Sequence, residues 1–214
     1  MCRIDYLFSG VMCFFLACVP SGVEAGIVNI AGVYSHVYKV NGKKSLGGGF
    51  SEEEMAQLPG LAGTQVSFSW NDLNPEEGVY DWERWDNVLD LYGNNGKRIW
   101  VEISNANHST AGSAPDDSQA MPRWVRDRID VVTGLDNGYI SPIWWDAEYQ
   151  GLWGEFLEKV ADRYDGNPNL AGISTGGYGS RHEPHPRFDD NPQGWADAGY
   201  VDENQYWEDG IKKV

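Results

Sequence analysis

The sequence predicts an α/β fold in which parallel strands are joined by crossover helices. Three observations indicate this class. Short apolar or alternating runs recur along the chain and are typical of strands. Longer segments with helical periodicity lie between the later runs, and glycine, asparagine or proline marks their ends. Because strand, helix and strand follow one another at this spacing, neighbouring strands are expected to be parallel.

Four segments have the composition of strands. Residues 27–34 are apolar and β-branched, and residues 65–70 alternate between polar and apolar side chains. Residues 98–104, with the sequence RIWVEIS, and residues 170–175 are predicted to be buried strands. Within the third strand, Trp100 is predicted to belong to the core. Glu102 is predicted to be a buried carboxylate that pairs with a lysine or an arginine.

Two segments have helical periodicity. In the first, apolar residues from Trp82 to Tyr92 recur at steps of three and four residues, and two glycines end the helix. In the second, an apolar face runs from Tyr149 to Tyr164, before the sequence DGNP at 165–168. A third helix is predicted to begin near Glu203. The tryptophans on the first two helical faces are predicted to be core residues: Trp82, Trp85 and Trp153.

A long segment without clear periodicity separates the third strand from the second helix. It covers residues 105–148 and contains Trp124, Trp144 and Trp145. Connections longer than about 12–15 residues are usually functional or disordered. Tryptophan side chains favour burial or a ligand, so this segment is predicted to be an irregular functional loop.

The first 25 residues are predicted to be a signal peptide, so that the folded domain covers residues 26–214. Arg3 lies in a short polar start, an apolar run extends from Leu7 to Pro20, and Ala25 ends a small-residue cleavage site. The run is shorter than the roughly 20 residues that a membrane span needs. A secreted or periplasmic location follows, with lipid attachment at Cys18 as the alternative.

Composition excludes several kinds of chemistry. All three cysteines lie within the predicted signal peptide, so the folded domain has no disulfide, thiolate nucleophile or cysteine metal site. The net charge of −16 argues against binding to nucleic acid or to an anionic membrane surface, whereas neutral sugars are not repelled. The four histidines are scattered, and the glycines at 47–49 lack the context of a phosphate-binding loop. No metal, no cofactor and no membrane span are therefore predicted.

The segment 70–82, WNDLNPEEGVYDW, is the most specific motif in the sequence. It resembles the strand-two region of clan A glycoside hydrolases, especially the family 42-type β-galactosidases, in which a W…L-x-P-x-x-G-x-Y-x-W pattern leads from strand to helix. The segments GKR at 96–98, PRW at 122–124 and ADRYDGNP at 161–168 fit the same picture in the same order. The resemblance covers about residues 60–185. It implies a (β/α)₈ barrel of the TIM type that is incomplete, with about strands one to four and their helices.

The same motif also has a local interpretation that needs no family. Pro75 and Gly78 form a turn, and Tyr80 and Trp82 cover the base of the next helix. The residues of the motif are therefore predicted to be structural.

The resemblance further implies a pair of catalytic carboxylates. In the clan, the acid/base glutamate follows strand four, usually after an asparagine, and the nucleophile follows strand seven. Glu183 is the carboxylate that follows the fourth predicted strand, with His182 in place of the asparagine. The nucleophile is expected beyond Val214. The chain is therefore interpreted as the truncated, N-terminal part of a catalytic domain and is predicted to be inactive alone.

Aromatic and polar side chains at strand ends and in the long loop are predicted to bind sugar. One cleft is expected between the loop after strand three and the end of strand four. The predicted substrate-binding residues are Trp70, Asn71, Trp124, Trp144, Trp145, Tyr178 and His182.

These features predict a secreted glycoside hydrolase that cleaves O-glycosidic bonds of a poly- or oligosaccharide with retention, with Glu183 as its acid/base. A carbohydrate-binding protein without catalytic activity, built on the same scaffold, stays open as the alternative. The open edges of a partial parallel sheet are expected to favour self-association. The inward face of such a sheet is expected to expose apolar side chains.

Overall fold

The computed structural model describes residues 33–37, 51–106, 120–135, 139–176, 188–189 and 191–212. In chain order, the elements are β1 (Val33–Val37), α1 (Glu52–Gln57), β2 (Leu61–Ser69), α2 (Trp70–Leu73), α3 (Glu83–Asn94), β3 (Arg98–Ser104), α4 (Arg123–Arg126), β4 (Val131–Leu135), β5 (Tyr139–Pro142), α5 (Ala147–Tyr164), β6 (Leu170–Gly176), α6 (Pro192–Asp197) and α7 (Glu203–Gln205). A π-helical segment, Tyr206–Ile211, continues directly from α7.

Four strands form one parallel sheet in the order β1, β2, β3, β6. They keep their sequence order across the sheet, without the reversal that marks doubly wound sheets. Trp85 of α3 stacks on Phe68 of β2 and on Tyr164 of α5, with ring centroids 5.5 and 4.0 Å apart, so both helices pack on the same face. Consecutive parallel strands with their helices on one face are the arrangement of a (β/α)₈ barrel. The predicted fold class is confirmed, and the described residues hold four of its strands.

Three of the four predicted strands are confirmed, with shifts at their ends. β3 has the predicted bounds, and β6 extends one residue further, to Gly176. β2 begins at Leu61 and ends at Ser69, because Trp70 already starts α2. β1 overlaps the first predicted strand at residues 33–34, and residues 27–32 lie outside the described residues.

Both long predicted helices are confirmed as α3 and α5, and the predicted third helix begins at Glu203 as α7. Trp85 and Trp153 are buried in the core, as predicted. Trp82 is half-buried and stacks on Tyr80 with ring centroids 5.4 Å apart. None of the described helices has the length and hydropathy of a membrane span.

The long helices α3 and α5 are also joined by polar contacts near the surface. The Tyr164 hydroxyl donates to Asp86 Oδ1 at 2.9 Å, and Arg163 forms an ion pair with the same carboxylate. Burial, followed by the contact with Asp86, raises the pKa of Tyr164 above its ordinary range. The hydroxyl therefore stays protonated and remains a donor to Asp86 at neutral pH.

The parallel sheet has one apolar face and one polar face. Apart from Thr64 of β2, the side chains that β2 and β3 bury in the core are apolar: Val66, Phe68, Ile99, Val101 and Ile103. The alternate positions on the inward face are half-buried, and most are polar: Gln65, Ser67, Ser69, Arg98, Trp100, Glu102 and Ser104. The expectation of an apolar inward face is therefore wrong for these strands. The prediction that Trp100 belongs to the core is also wrong, because strand alternation puts it on the inward face.

The long segment after β3 contains more regular structure than its sequence predicts. α4 lies within it, and β4 pairs with β5 in an antiparallel hairpin. These two strands have five and four residues, too few to give a clear period in sequence. The N-cap residue of α6 contacts the hairpin, because Asn191 Nδ2 donates to Thr133 O at 2.7 Å.

Candidate active site

The carboxyl ends of β2, β3 and β6 lie side by side at one edge of the sheet. Ser69, Ser104 and Gly176 are neighbours in register across these strands. In (β/α)₈ barrels the active site lies at this edge and is built from the loops that follow the strands. The candidate site therefore comprises this carboxyl edge and the segments that follow the three strands.

The chain turns into the core immediately after β2. Ser69 and Asp72 form a capping box that starts α2: the Asp72 N–H donates to Ser69 Oγ at 3.0 Å, and the Ser69 N–H donates to Asp72 Oδ2 at 2.9 Å. Trp70 follows this turn and packs on Trp153 and Phe156, with ring centroids 4.9 and 5.5 Å apart. Its relative exposure is 0%. The prediction that Trp70 binds sugar is wrong, because its ring has no surface left for a ligand.

The turn after α2 is held by Asn74. Its Nδ2 donates to Glu76 O at 2.7 Å and to Val79 O at 2.8 Å, and its Oδ1 accepts from Trp70 Nε1 at 3.2 Å. Gly78 has a φ of 73°, in the left-handed region that favours glycine. The structural interpretation of the motif at 70–82 is confirmed by these contacts.

Asn71 and Trp124 join the segment after β3 to the end of β2. The Asn71 N–H donates to Ala120 O at 2.8 Å, and Trp124 Nε1 donates to Asn74 O at 3.1 Å. Both residues are half-buried, and the Trp124 ring meets Trp70 edge-on at 6.2 Å. Their contact with sugar stays a prediction, and their observed contacts hold the two loops together at the carboxyl edge.

A second aromatic cluster joins the end of the segment after β3 to the C-terminal helices. Trp144 is buried against Tyr149 and Tyr206, each with its ring centroid 5.7 Å away. Its predicted sugar contact is therefore wrong, for the same reason as at Trp70. Trp145 is half-buried, and its Nε1 donates to Ala198 O at 3.1 Å. Sugar binding by Trp145 stays a prediction.

The segments that were expected to frame one open cleft meet through this buried cluster. Phe188 and Tyr200 stack with ring centroids 3.9 Å apart, and Trp195 packs on both Phe188 and Trp145. Burial raises the pKa of Tyr206 far above its ordinary range. Trp144 therefore belongs to this buried aromatic cluster and does not face the predicted cleft.

Three predicted site residues, Tyr178, His182 and Glu183, lie outside the described residues. They belong to the segment that directly follows β6, and their roles stay predictions. Within the described ranges, no three histidine, cysteine, aspartate or glutamate side chains come together as a metal site.

Glu102 is a residue of the site whose partners the sequence does not predict. It is half-buried on the inward face of β3, two residues before Ser104. Its Oε2 accepts from Ser67 Oγ at 2.9 Å and from Gln65 Nε2 at 3.0 Å. Both partners among the described residues are neutral, so the predicted pairing with a lysine or arginine is not seen in this part of the chain. The alternation in RIWVEIS indicates which face of the sheet Glu102 lies on, since every second residue of a strand faces the same side.

Asn105 is a second residue that sequence reasoning does not assign to the site. It is buried directly after β3, and its Nδ2 donates to Tyr149 Oη at 2.6 Å. Burial raises the pKa of Tyr149 well above its ordinary value, so the hydroxyl stays neutral. The contact fixes the first turn of α5 against the end of β3 and thereby positions the carboxyl edge.

The family model of glycoside hydrolase family 42, described as β-galactosidase, matches residues 53–184. The matched region covers more than half of the chain. It includes β2, β3 and β6 and extends through Glu183.

Similar solved structures include two β-galactosidases and an endo-glycoceramidase. The β-galactosidase from the psychrophilic Marinomonas ef1 is 22% identical with a TM-score of 0.43, and the match covers 60% of this chain and 19% of that chain. The enzyme from the haloarchaeon Halorubrum lacusprofundi is 21% identical with a TM-score of 0.43, covering 72% and 24%. Endo-glycoceramidase II from Rhodococcus sp. is 15% identical with a TM-score of 0.43, covering 70% and 40%. The matches thus span 19% to 40% of these proteins, and the family assignment depends on the family model.

Proposed function

The chain belongs to glycoside hydrolase family 42, and on this premise we propose that it carries the first strands of a barrel that hydrolyses β-galactosides. The observation that carries the proposal is the match of the family model over residues 53–184. The carboxyl edge of β2, β3 and β6 is the proposed binding surface, because barrel enzymes bind their substrates at this edge. The bond cleaved is the O-glycosidic bond between galactose and the next sugar.

Glu183 is the proposed acid/base. In a retaining mechanism, a carboxylate nucleophile forms a bond to the anomeric carbon while the acid protonates the departing glycosidic oxygen. The same residue, now deprotonated, then takes a proton from the water that attacks the anomeric carbon and frees the nucleophile. By the pattern of the clan, the nucleophile is proposed to lie on a seventh barrel strand, which is not among the four strands of the described sheet.

Export is part of the same proposal. The apolar run and the small-residue ending at Ala25 support cleavage of a signal peptide. Mass spectrometry of the exported protein should then give an N-terminus at Gly26. An intact Met1 would contradict cleavage, and a lipid mass on Cys18 would support the anchored alternative.

Glu183→Gln in the full-length protein, meaning the form that carries the whole proposed barrel, tests the acid/base assignment. The change keeps size and polarity but removes the proton donor, so kcat on galactosides with poor leaving groups should fall by about 10²–10⁴-fold. Aryl galactosides with activated leaving groups need less protonation and should lose less. Glu158→Gln is the matched control, because Glu158 is exposed on α5. Unchanged rates for Glu183→Gln on both substrates would contradict the assignment.

A carbohydrate-binding protein without catalysis is the second candidate function. One observation favours it: His182 precedes Glu183 at the place where the clan usually has asparagine. Calorimetric binding of β-galactosides by a full-length protein that shows no turnover would decide for this candidate. The absence of both binding and hydrolysis would contradict both functions.

A further inference from the structure

The inward face of the sheet has small residues at its carboxyl edge. Ser69, Ser104 and Gly176 are neighbours in register there. One alternation further from the edge, Ser67, Glu102 and Ser174 are neighbours in the same way. Two residues of a strand span roughly 7 Å. Among these three strands, Glu102 therefore supplies the first long side chain that a ligand would meet below the edge.

The carboxylate of Glu102 is oriented by neutral donors. Ser67 Oγ and Gln65 Nε2 both donate to Oε2, at 2.9 and 3.0 Å. A carboxylate has about four acceptor positions over its two oxygens. In the described part of the chain, both hydrogen bonds to Glu102 go to Oε2, Oε1 receives none, and no cation forms an ion pair with this carboxylate. One oxygen thus fixes the group, and the other is available to a ligand that donates.

The surroundings of this carboxylate combine apolar ring surface with placed polar groups. Trp100 lies one alternation below Glu102, and its indole covers Gly172, where a Cβ would come within 2.8 Å of ring atom Cζ3. Its Nε1 donates to Ser174 Oγ at 3.1 Å. Apolar ring surface beside a small number of placed polar groups is the usual composition of small-molecule binding sites.

We infer that Glu102 is a specificity residue that accepts a hydrogen bond from a hydroxyl group of the galactoside. This inference rests on the proposed function and adds to it the position of a sugar-binding group on β3. A carboxylate gives a hydroxyl donor a stronger partner than a neutral acceptor does. The alternative is that a cationic side chain of the protein itself covers Glu102. In that case Glu102 does not contact the sugar, and the experiment below distinguishes the two cases by the Kd for the sugar.

The first test is Glu102→Gln in the full-length protein, with methyl β-galactoside as the probe. The substitution keeps an acceptor for Ser67 and Gln65 and removes the charge. Because hydrogen bonds to charged groups are stronger than neutral ones, the Kd for the probe should rise by about tenfold to a hundredfold. Glu158→Gln should leave the Kd unchanged. A thermal unfolding transition at the same temperature as in the parent would show that the variant is folded.

Monodeoxy derivatives of the same probe separate a direct contact from a structural effect. One derivative lacks the hydroxyl that donates to Glu102, and for this derivative the parent and Glu102→Gln should have the same Kd. For each of the other derivatives, Glu102→Gln should still bind more weakly than the parent. An equal Kd penalty for every derivative, or none at all, would overturn the inference. If Glu102→Gln does not fold, Ser67→Ala loosens the carboxylate and should give a smaller penalty that depends on the same hydroxyl.

The failure of this inference is distinct from that of the proposed function. A parent protein that binds and hydrolyses galactosides, together with a Glu102→Gln variant of unchanged Kd, overturns the role of Glu102 alone. A parent protein that binds no galactoside overturns both.

Discussion

The indole of Trp100 lies directly over Gly172 on the neighbouring strand. A Cβ at Gly172 would come within 2.8 Å of Cζ3 and within 3.1 Å of Cη2 of the ring. The same indole donates to Ser174 Oγ at 3.1 Å, so β3 and β6 are joined by a ring as well as by their backbone pairing. Glycine is needed at this position because of the close approach of the ring.

Gly172→Ala is therefore expected to destabilise the fold. The added methyl group must displace the indole, and such overpacking typically lowers the free energy of unfolding by about 1–3 kcal/mol. Urea denaturation followed by tryptophan fluorescence measures the change. Gly151→Ala is the matched control: a Cβ there meets nothing within 4 Å in the middle of α5, and the change should stabilise the helix by up to about 1 kcal/mol. Equal stability of Gly172→Ala and the parent would contradict the packing described.

The stability of the fold should fall between pH 10 and 12, in part because of Tyr92. Burial raises its pKa from about 10 to about 12 in the folded state. The stabilising contribution is complete below pH 10 and is lost as the pH rises through the folded-state pKa, because the unfolded chain ionises first. Tyr92→Phe should reduce the pH dependence of the free energy of unfolding in this range. An identical slope in the parent and the variant would show that Tyr92 titrates normally.

Lys97 is expected to stabilise the loop between α1 and β2. It is 8% exposed, and its Nζ donates to Leu58 O at 2.6 Å and to Leu61 O at 2.9 Å. Lys97→Met removes both hydrogen bonds and should lower the free energy of unfolding by about 1–3 kcal/mol, since it leaves two partly buried acceptors without their donor. Lys159→Met on the surface of α5 should change it by less than about 0.5 kcal/mol. Equal effects of the two variants on thermal unfolding would contradict this role.

Asn191 is expected to hold the C-terminal helices to the hairpin. Its Oδ1 accepts from the Gly194 N–H at 3.0 Å, which caps α6, and its Nδ2 donates to Thr133 O at 2.7 Å. Asn191→Ala removes both contacts and should cost about 1–2 kcal/mol locally. Hydrogen exchange of the α6 amides should accelerate, whereas Gln193→Ala, an exposed change on the same helix, should have little effect. Unchanged exchange in Asn191→Ala would contradict the assignment.

The elements with a strong local period were predictable. The alternation at 98–104 and the apolar face from 149 to 164 correspond closely to β3 and α5, because backbone geometry imposes these periods on any sequence that buries one face. The hairpin of β4 and β5 was not predictable in the same way. Its strands are short, and its pairing depends on contact between segments rather than on a period.

The candidate site was only partly predictable. The motif at 70–82 was correctly interpreted as structural, but Trp70 and Trp144 were assigned to sugar binding and are buried. The residues next to a tryptophan at a strand end do not indicate whether its ring faces a ligand or the core. The capping box of Ser69 and Asp72 begins α2 at the end of β2, and Trp70 follows it into the core.

The sequence by itself determined the α/β class, the order of its main strands and helices, and the family resemblance carried by a few spaced residues. These properties depend on local periodicity and on short motifs. The tertiary structure alone decided which groups meet. Glu102 is joined to Ser67 and Gln65 across 35 and 37 residues of chain, and Trp100 covers Gly172 on a separate strand. Such contacts depend on the register between neighbouring strands. Side-chain alternation determines which face of the sheet a residue lies on, but it does not determine which residue of the next strand is its neighbour.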